Sequence, residues 1–117
     1  MSKDDQTLEY LLLLDGTRYV IDEAHGLWVK FEAKKIRQTA DRPHGIKYSL
    51  TLHDRKNERI MGFDNAHAVD EDNTFDHWHR NKKDTGRPYK YINSGKLVED
   101  FWKEVDKILN ELESKHD

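Results

Sequence analysis

Apolar and polar positions alternate along much of the first half of the chain, and this alternation predicts strands. Residues 9–14 and 17–22 are apolar-rich runs joined by Asp15-Gly16. Asp-Gly between two such runs signals a two-residue hairpin, because a type I′ turn needs positive φ at both central positions. After Gly26, the residues Leu27, Val29, Phe31 and Ala33 alternate with Lys30, Glu32 and Lys34, giving a third strand. Trp28 falls on the polar register, so that face is expected to be partly covered. A loop follows over residues 39–45. Ile46, Tyr48, Leu50 and Leu52 then alternate with Lys47, Ser49, Thr51 and His53, and the turn at residues 54–57 leads into a strand over residues 59–63. The last two strands pair antiparallel, since their connection is too short for a parallel crossover.

Periodicity disappears over residues 64–93, which read as a functional loop holding three of the seven histidines. A loop of that length in a small domain is uncommon unless functional or disordered, and Phe75, Trp78, Tyr89 and Tyr91 argue for an ordered one. Residues 94–114 then show a helical stripe of Leu97, Val98, Phe101, Trp102, Val105, Ile108, Leu109 and Leu112, with Ser94 or Asn93 available as the cap. The expected architecture is α+β: a single antiparallel sheet of about five strands with this amphipathic helix packed on one face. Residues 1–6 read as a frayed tail, and 1–117 as a single domain.

Composition narrows the function. Charged residues make up 37% of the chain and apolar ones 35%, yet the formal net charge is only −3, which argues against a uniformly basic nucleic-acid binder. Local basic clusters remain, at Lys30, Lys34, Lys35, Arg37 and Arg42, and at Arg80, Lys82, Lys83, Arg87 and Lys90. The chain has no cysteine, so disulfides, thiolate metal ligands and a Cys nucleophile are excluded. The N-terminal residues carry no signal core and the longest apolar run, Leu11 to Leu14, is far short of a membrane helix, so a cytoplasmic protein without membrane contact is expected.

Reactive groups concentrate in three short elements: Gly62-Phe63-Asp64-Asn65-Ala66-His67, Asp76-His77-Trp78-His79-Arg80 and Gly86-Arg87-Pro88-Tyr89-Lys90-Tyr91. In an extended segment His77 and His79 project to the same side, with Trp78 anchored opposite. A pair of imidazoles supplies one proton donor and one acceptor near neutrality, as metal-free RNA cleavage requires. Arg80 or Arg87 would stabilise charge on the phosphate, and Asp64 or Asp76 would orient one imidazole. Tyr89 is a further candidate catalytic hydroxyl, and His53, on the polar register of its strand, could face the same cleft. The same groups also fit a metal: His67, His77, His79 and Asp64 make an N₃O set for zinc or another divalent ion. Each motif has a plainer alternative, namely histidines hydrogen-bonded in a structured loop, Asp64-Asn65 as a turn, and Tyr89 as a packing residue.

Taken in order, Gly62-Phe63-Asp64-Asn65, Asp76-His77-Trp78-His79, Pro88-Tyr89-Lys90-Tyr91 and Leu97-Val98-Glu99-Asp100-Phe101-Trp102-Lys103-Glu104-Val105 resemble the pattern of the TumE family of bacterial toxin–antitoxin toxins. The chain departs from that pattern at Trp78, where the family has a basic residue. The resemblance implies a growth-inhibiting toxin held inactive by a cognate antitoxin with a helix-turn-helix or winged-helix domain. It implies no particular reaction.

The leading expectation is therefore a ribonuclease toxin acting through His77 and His79 with Asp64, Arg80 and Tyr89, and contacting RNA through Asn65, Trp78, Arg87 and Lys90. No cofactor is expected, and a homodimer is compatible with this reading. The alternatives are a non-catalytic binding module that blocks a cellular target, and a His/Asp metal-dependent hydrolase.

Overall fold

A computed structural model describes residues 7–38, 45–65, 76–80 and 87–114, with the side chains of His77 and Pro88 outside that description. The tail at 1–6, His44, His67 and His116, and the basic residues Arg42, Lys82 and Lys83 also lie outside the described residues.

A short helix α1 (Leu8–Leu13) leads into strands β1 (Arg18–Asp22), β2 (Leu27–Lys35), β3 (Ile46–His53), β4 (Arg59–Asp64), β5 (His77–His79) and β6 (Arg87–Pro88), and helix α2 (Ser94–Ser114) follows. The strands form one sheet in chain order, each antiparallel to the next. The fold is thus the expected α+β sheet with a C-terminal helix. Two elements differ from the sequence reading.

Residues 9–14, expected as a strand, are helical from Leu8 to Leu13. The four consecutive leucines favour a helix because their side chains lose little rotamer freedom there, whereas β-branched residues would favour a strand. Their burial is helical too: Leu11 is fully buried, Leu8 and Leu12 are partly buried against the core, and Tyr10 and Leu13 face outward. Asp15-Gly16 therefore ends a helix and does not join two strands. Gly16 has φ +81°, and its N–H donates to the Phe31 carbonyl at 2.8 Å. Asp15 extends the ladder beyond the end of β1, its Oδ1 accepting the Ala33 N–H at 3.0 Å and its Oδ2 lying 3.3 Å from Lys34 Nζ. These partners, the Ala33 N–H first, hold the Asp15 carboxyl below its ordinary range.

The second difference lies in the stretch 64–93, read as loop. His77–His79 pairs with β4 and Arg87–Pro88 pairs with β5, so the sheet has a sixth, two-residue strand. Three residues of alternation are too few to register as a strand in the sequence.

One face of the sheet is apolar. Leu27, Val29, Phe31 and Ala33 of β2, Ile46, Tyr48, Leu50 and Leu52 of β3, and Met61 and Phe63 of β4 are all buried there. The stripe Leu97, Phe101, Val105 and Ile108 of α2 closes over it. Phe101 makes edge contacts to Phe31 at 5.4 Å and Phe63 at 6.3 Å between ring centroids. The start of α2 is fixed twice: Asn93 Oδ1 accepts the Lys96 N–H at 2.8 Å, and Thr7 Oγ1 accepts the Gly95 N–H at 2.7 Å. A Cβ on residue 95 would stand 2.9 Å from Thr7 Cγ2, so glycine allows this approach. The opposite face of the sheet carries no helix among the described residues, and that asymmetry positions the chemistry.

Candidate functional site

Strand alternation sends neighbouring residues of β4 and β5 to opposite faces. Phe63 and Trp78 are ladder partners on the helix side, their rings stacked at 6.2 Å. Gly62 pairs with His79, and Asp64 pairs with His77. His79 is therefore on the helix-free face, where its Nε2 lies 2.9 Å from Asp64 Oδ2. The imidazole is only 3% exposed. A buried carboxylate on one ring nitrogen fixes the ring's orientation.

The ladder extends this pair into two transverse rows. One runs Lys30, Thr51, Gly62, His79 across β2 to β5, and the other runs Glu32, Ser49, Asp64, His77. Gly62 leaves the first row low at its centre: a Cβ there would meet Thr51 Cγ2 at 3.0 Å and the Leu50 carbonyl oxygen at 3.2 Å. His53 lies on the same face, its Nε2 2.8 Å from Thr51 Oγ1 and its ring stacked on Trp28 at 4.2 Å. Trp28 is the partly covered aromatic on the polar register. Its indole N–H donates to the Asp54 carbonyl at 3.2 Å, and Arg18 holds its guanidinium 5.8 Å from the ring.

Burial holds the pKa of His53 below its ordinary value, partly opposed by the Asn57 carbonyl. Below an unfolded value of about 6.5 the unfolded chain then binds more protons at this site than the folded one. Stability from His53 is complete above that value and is lost as the pH falls through the folded pKa. Urea unfolding at pH 7.5 and pH 5.5 should therefore show a larger loss for the native chain than for His53→Gln; equal losses would remove the assignment.

The other sequence candidates are distributed differently. Asn65 is 1% exposed and its amide continues the ladder past the end of β4, Oδ1 accepting the Tyr48 N–H at 2.9 Å and Nδ2 donating to the Ile46 carbonyl at 2.8 Å. Both groups are thus engaged by the backbone of β3. Asp76 accepts the Tyr48 hydroxyl at 2.7 Å, and Asp64 is the carboxylate that meets His79. Burial raises the Tyr48 phenol well above its ordinary pKa, with the Asp76 charge adding to it.

Arg80, Arg87 and Tyr89 are on the helix side. Arg80 pairs with Glu111 at 2.5 Å and approaches Glu104 at 4.0 Å. Arg87 stacks over Trp78 at 4.6 Å. The Tyr89 hydroxyl donates to Asp100 at 2.6 Å, and burial together with that carboxylate raises its pKa far above the ordinary value. Trp78, Tyr89, Asp100, Lys103, Glu104 and Lys107 line a shallow groove of about 300 Å³. Lys90 is exposed beyond it. The structure thus brings His79 and Asp64 together on one face, and Trp78, Arg80, Arg87 and Tyr89 on the other. Among the described residues no group of three or more His, Asp or Glu is placed to hold a metal ion, and His67 of the proposed N₃O set lies outside them.

The family model described as Toxin TumE matches residues 9–109. The chain belongs to the TumE toxin family. No curated protein and no solved structure matches it. In this TumE-family chain the match runs from α1 into α2, and so takes in both faces of the sheet. No helix among the described residues is long and apolar enough to cross a membrane. The sequence reading names His53 as a candidate for the cleft and places Lys30 in a basic cluster, but passes over Arg18 and Thr51 as site residues. Their signal is visible only in register, as the polar partners of one transverse row and its neighbour.

Proposed function

We propose that this TumE-family toxin arrests growth by cutting RNA without a metal, with His77 and His79 as the acid and base. The observation that carries the reading is the 2.9 Å contact between His79 Nε2 and Asp64 Oδ2 on the helix-free face, beside the strand position of His77. One imidazole takes the proton of a ribose 2′-hydroxyl, and the freed oxygen attacks the adjacent phosphorus. The P–O5′ bond breaks as the second imidazole protonates the departing 5′-oxygen, leaving a 2′,3′-cyclic phosphate and a 5′-hydroxyl. Asp64 orients the His79 ring. Arg80 and Arg87 sit across the sheet, so in this reading the phosphate charge is met by cations of the helix-free face instead. A cognate antitoxin with a helix-turn-helix or winged-helix domain would hold the toxin inactive in the cytoplasm.

The test is direct. Purified protein in a metal-chelating buffer should cut single-stranded RNA into fragments with 2′,3′-cyclic ends, and should leave an otherwise identical strand intact where the target ribose is 2′-deoxy. Cleavage of the deoxy strand, or intact RNA in both cases, would remove the reading.

The burial of His79 favours a second reading, a non-catalytic module that blocks a cellular target through the exposed Arg87 and the Trp78 ring beneath it. That reading expects intact RNA, together with growth arrest that disappears in Trp78→Ala.

A further inference from the structure

We infer that Tyr48 is a positioning residue: through Asp76, its hydroxyl sets the register of β5 against β4, and with it the face of the sheet to which positions 77 and 79 belong. The bearing of this lock on catalysis rests on the cleavage reading. The lock itself does not.

Register is weakly specified at this edge of the sheet. β5 has three residues, paired with three of β4 on one side and with the two-residue β6 on the other. A slip of one residue sends every side chain of a strand to the opposite face. Here it would carry position 79 to the helix side, away from Asp64, and would turn the Trp78 ring away from Phe63. β6 gives little help, since it pairs with β5 alone among the described strands. Arg80 and Tyr89 tie this edge to Glu111 and Asp100 of α2, but neither bond refers to the strands that define the register.

The Tyr48 bond does. Tyr48 belongs to β3, an eight-residue strand paired along both sides and so a fixed reference for the edge. Ser49, Asp64 and His77 make one transverse row of the ladder, and by register the next row is Tyr48, Asn65 and Asp76. Side chains close that row where regular pairing ends. Asn65 Oδ1 accepts the Tyr48 N–H at 2.9 Å, and the Tyr48 hydroxyl donates to Asp76 Oδ1 at 2.7 Å. One residue thus holds both the neighbour of Asp64 and the neighbour of His77.

Alternation puts Tyr48 and Asp76 on the helix side, and both are buried. In the slipped register the Asp76 carboxylate would face the helix-free side, out of reach of the phenol. A buried hydroxyl on a carboxylate is one of the stronger hydrogen bonds, and losing it strands a desolvated charge. The bond therefore separates two registers that three residues of backbone pairing distinguish poorly.

The experiment reads the register from Trp78, whose ring stacks on Phe63 in the native arrangement. The chain has three tryptophans, so incorporation of 5-fluorotryptophan gives three fluorine resonances, and Trp78→Phe assigns one of them. Tyr48→Phe keeps the buried ring and removes only the hydroxyl. It should produce a second or displaced Trp78 resonance while those of Trp28 and Trp102 stay in place, since a hydrogen bond to a charged group shifts the ratio of two states by roughly tenfold or more. Asp76→Asn keeps an oxygen that accepts the hydroxyl and should restore the native resonance. Asp76→Leu should behave like Tyr48→Phe, and the two changes combined should do no more than either alone. A merely structural role would move all three resonances toward their unfolded positions. If Asp76→Leu fails to fold, Tyr48→Phe and Asp76→Asn decide the matter. A single unmoved Trp78 resonance in Tyr48→Phe, or equal displacement in Asp76→Asn, would overturn the lock. RNA cleavage should fall in Tyr48→Phe and far less in Asp76→Asn. If the resonances behave as expected while no form of the protein cuts RNA, the lock stands and the cleavage reading falls. If the native chain cuts RNA and Tyr48→Phe leaves Trp78 unmoved, the reverse holds.

Discussion

Cells expressing the His77→Ala, His79→Ala double variant should grow normally where the native toxin arrests them. Removing an acid or base from a positioned pair lowers a rate by roughly 10²–10⁴-fold. Loss of both is expected to bring any RNA cleavage below the level that stops growth. Alanine at 79 also removes the group facing Asp64, a carboxylate only 9% exposed, and leaving such a group without its partner costs about 1–3 kcal/mol. Loss of arrest must therefore be separated from loss of fold. His79→Gln provides that separation, since the amide can still donate to Asp64 but cannot carry a proton between substrate oxygens. The expected outcome is a folded His79→Gln protein, matching the native chain in far-ultraviolet dichroism, that causes no arrest. Full arrest by this variant or by the double alanine would remove histidine chemistry from the toxin's action.

The largest effect on stability is expected at Phe101. Its ring is fully buried and meets Phe31, Phe63 and Trp102, joining α2 to the centre of the sheet. Truncating a buried phenylalanine to alanine costs about 3–5 kcal/mol, because the transfer energy of the ring is lost and a cavity remains. Total stabilities of small domains are only about 5–15 kcal/mol, so Phe101→Ala should consume a large share. A fall in melting temperature of roughly 10–25 °C is expected for a chain of this size. Leu13→Ala is the control: that side chain is 77% exposed at the end of α1, and its removal should shift melting little. Equal shifts in the two variants would contradict the packing described here.

The sheet and the helix were largely legible because their patterns are long. Eight residues of clean alternation mark β3, and the stripe from Leu97 to Ile108 marks α2 to the residue. The first element was misread because Asp15-Gly16 satisfies two grammars at once. It suits a hairpin turn, and it equally suits the end of a helix followed by a glycine at positive φ. The choice between them is made by the burial of Leu11 in the core where α1 meets α2 and β2, a contact between distant parts of the chain that no local pattern carries. At the site, the two-residue spacing of His77 and His79 and the presence of a nearby carboxylate were readable. Which carboxylate was not, since Asp64 and Asp76 differ only in which strand edge each reaches. Nor was the separation of Arg80 and Tyr89 from His79 readable, because it depends on β5 joining the sheet and so splitting neighbours between two sides.

Synthesis order has a bearing on the bond between Thr7 and Gly95. The six strands stack in the order in which they leave the ribosome, so each can zip onto its predecessor as a local hairpin. The lid over their greasy side, however, is made after all of them. Until translation has passed Ile108, the nascent chain carries a bare hydrophobic wall, and the Thr7 hydroxyl waits for an amide 88 residues downstream. A message broken late in its reading frame should therefore yield a sticky, aggregation-prone fragment instead of a shortened toxin.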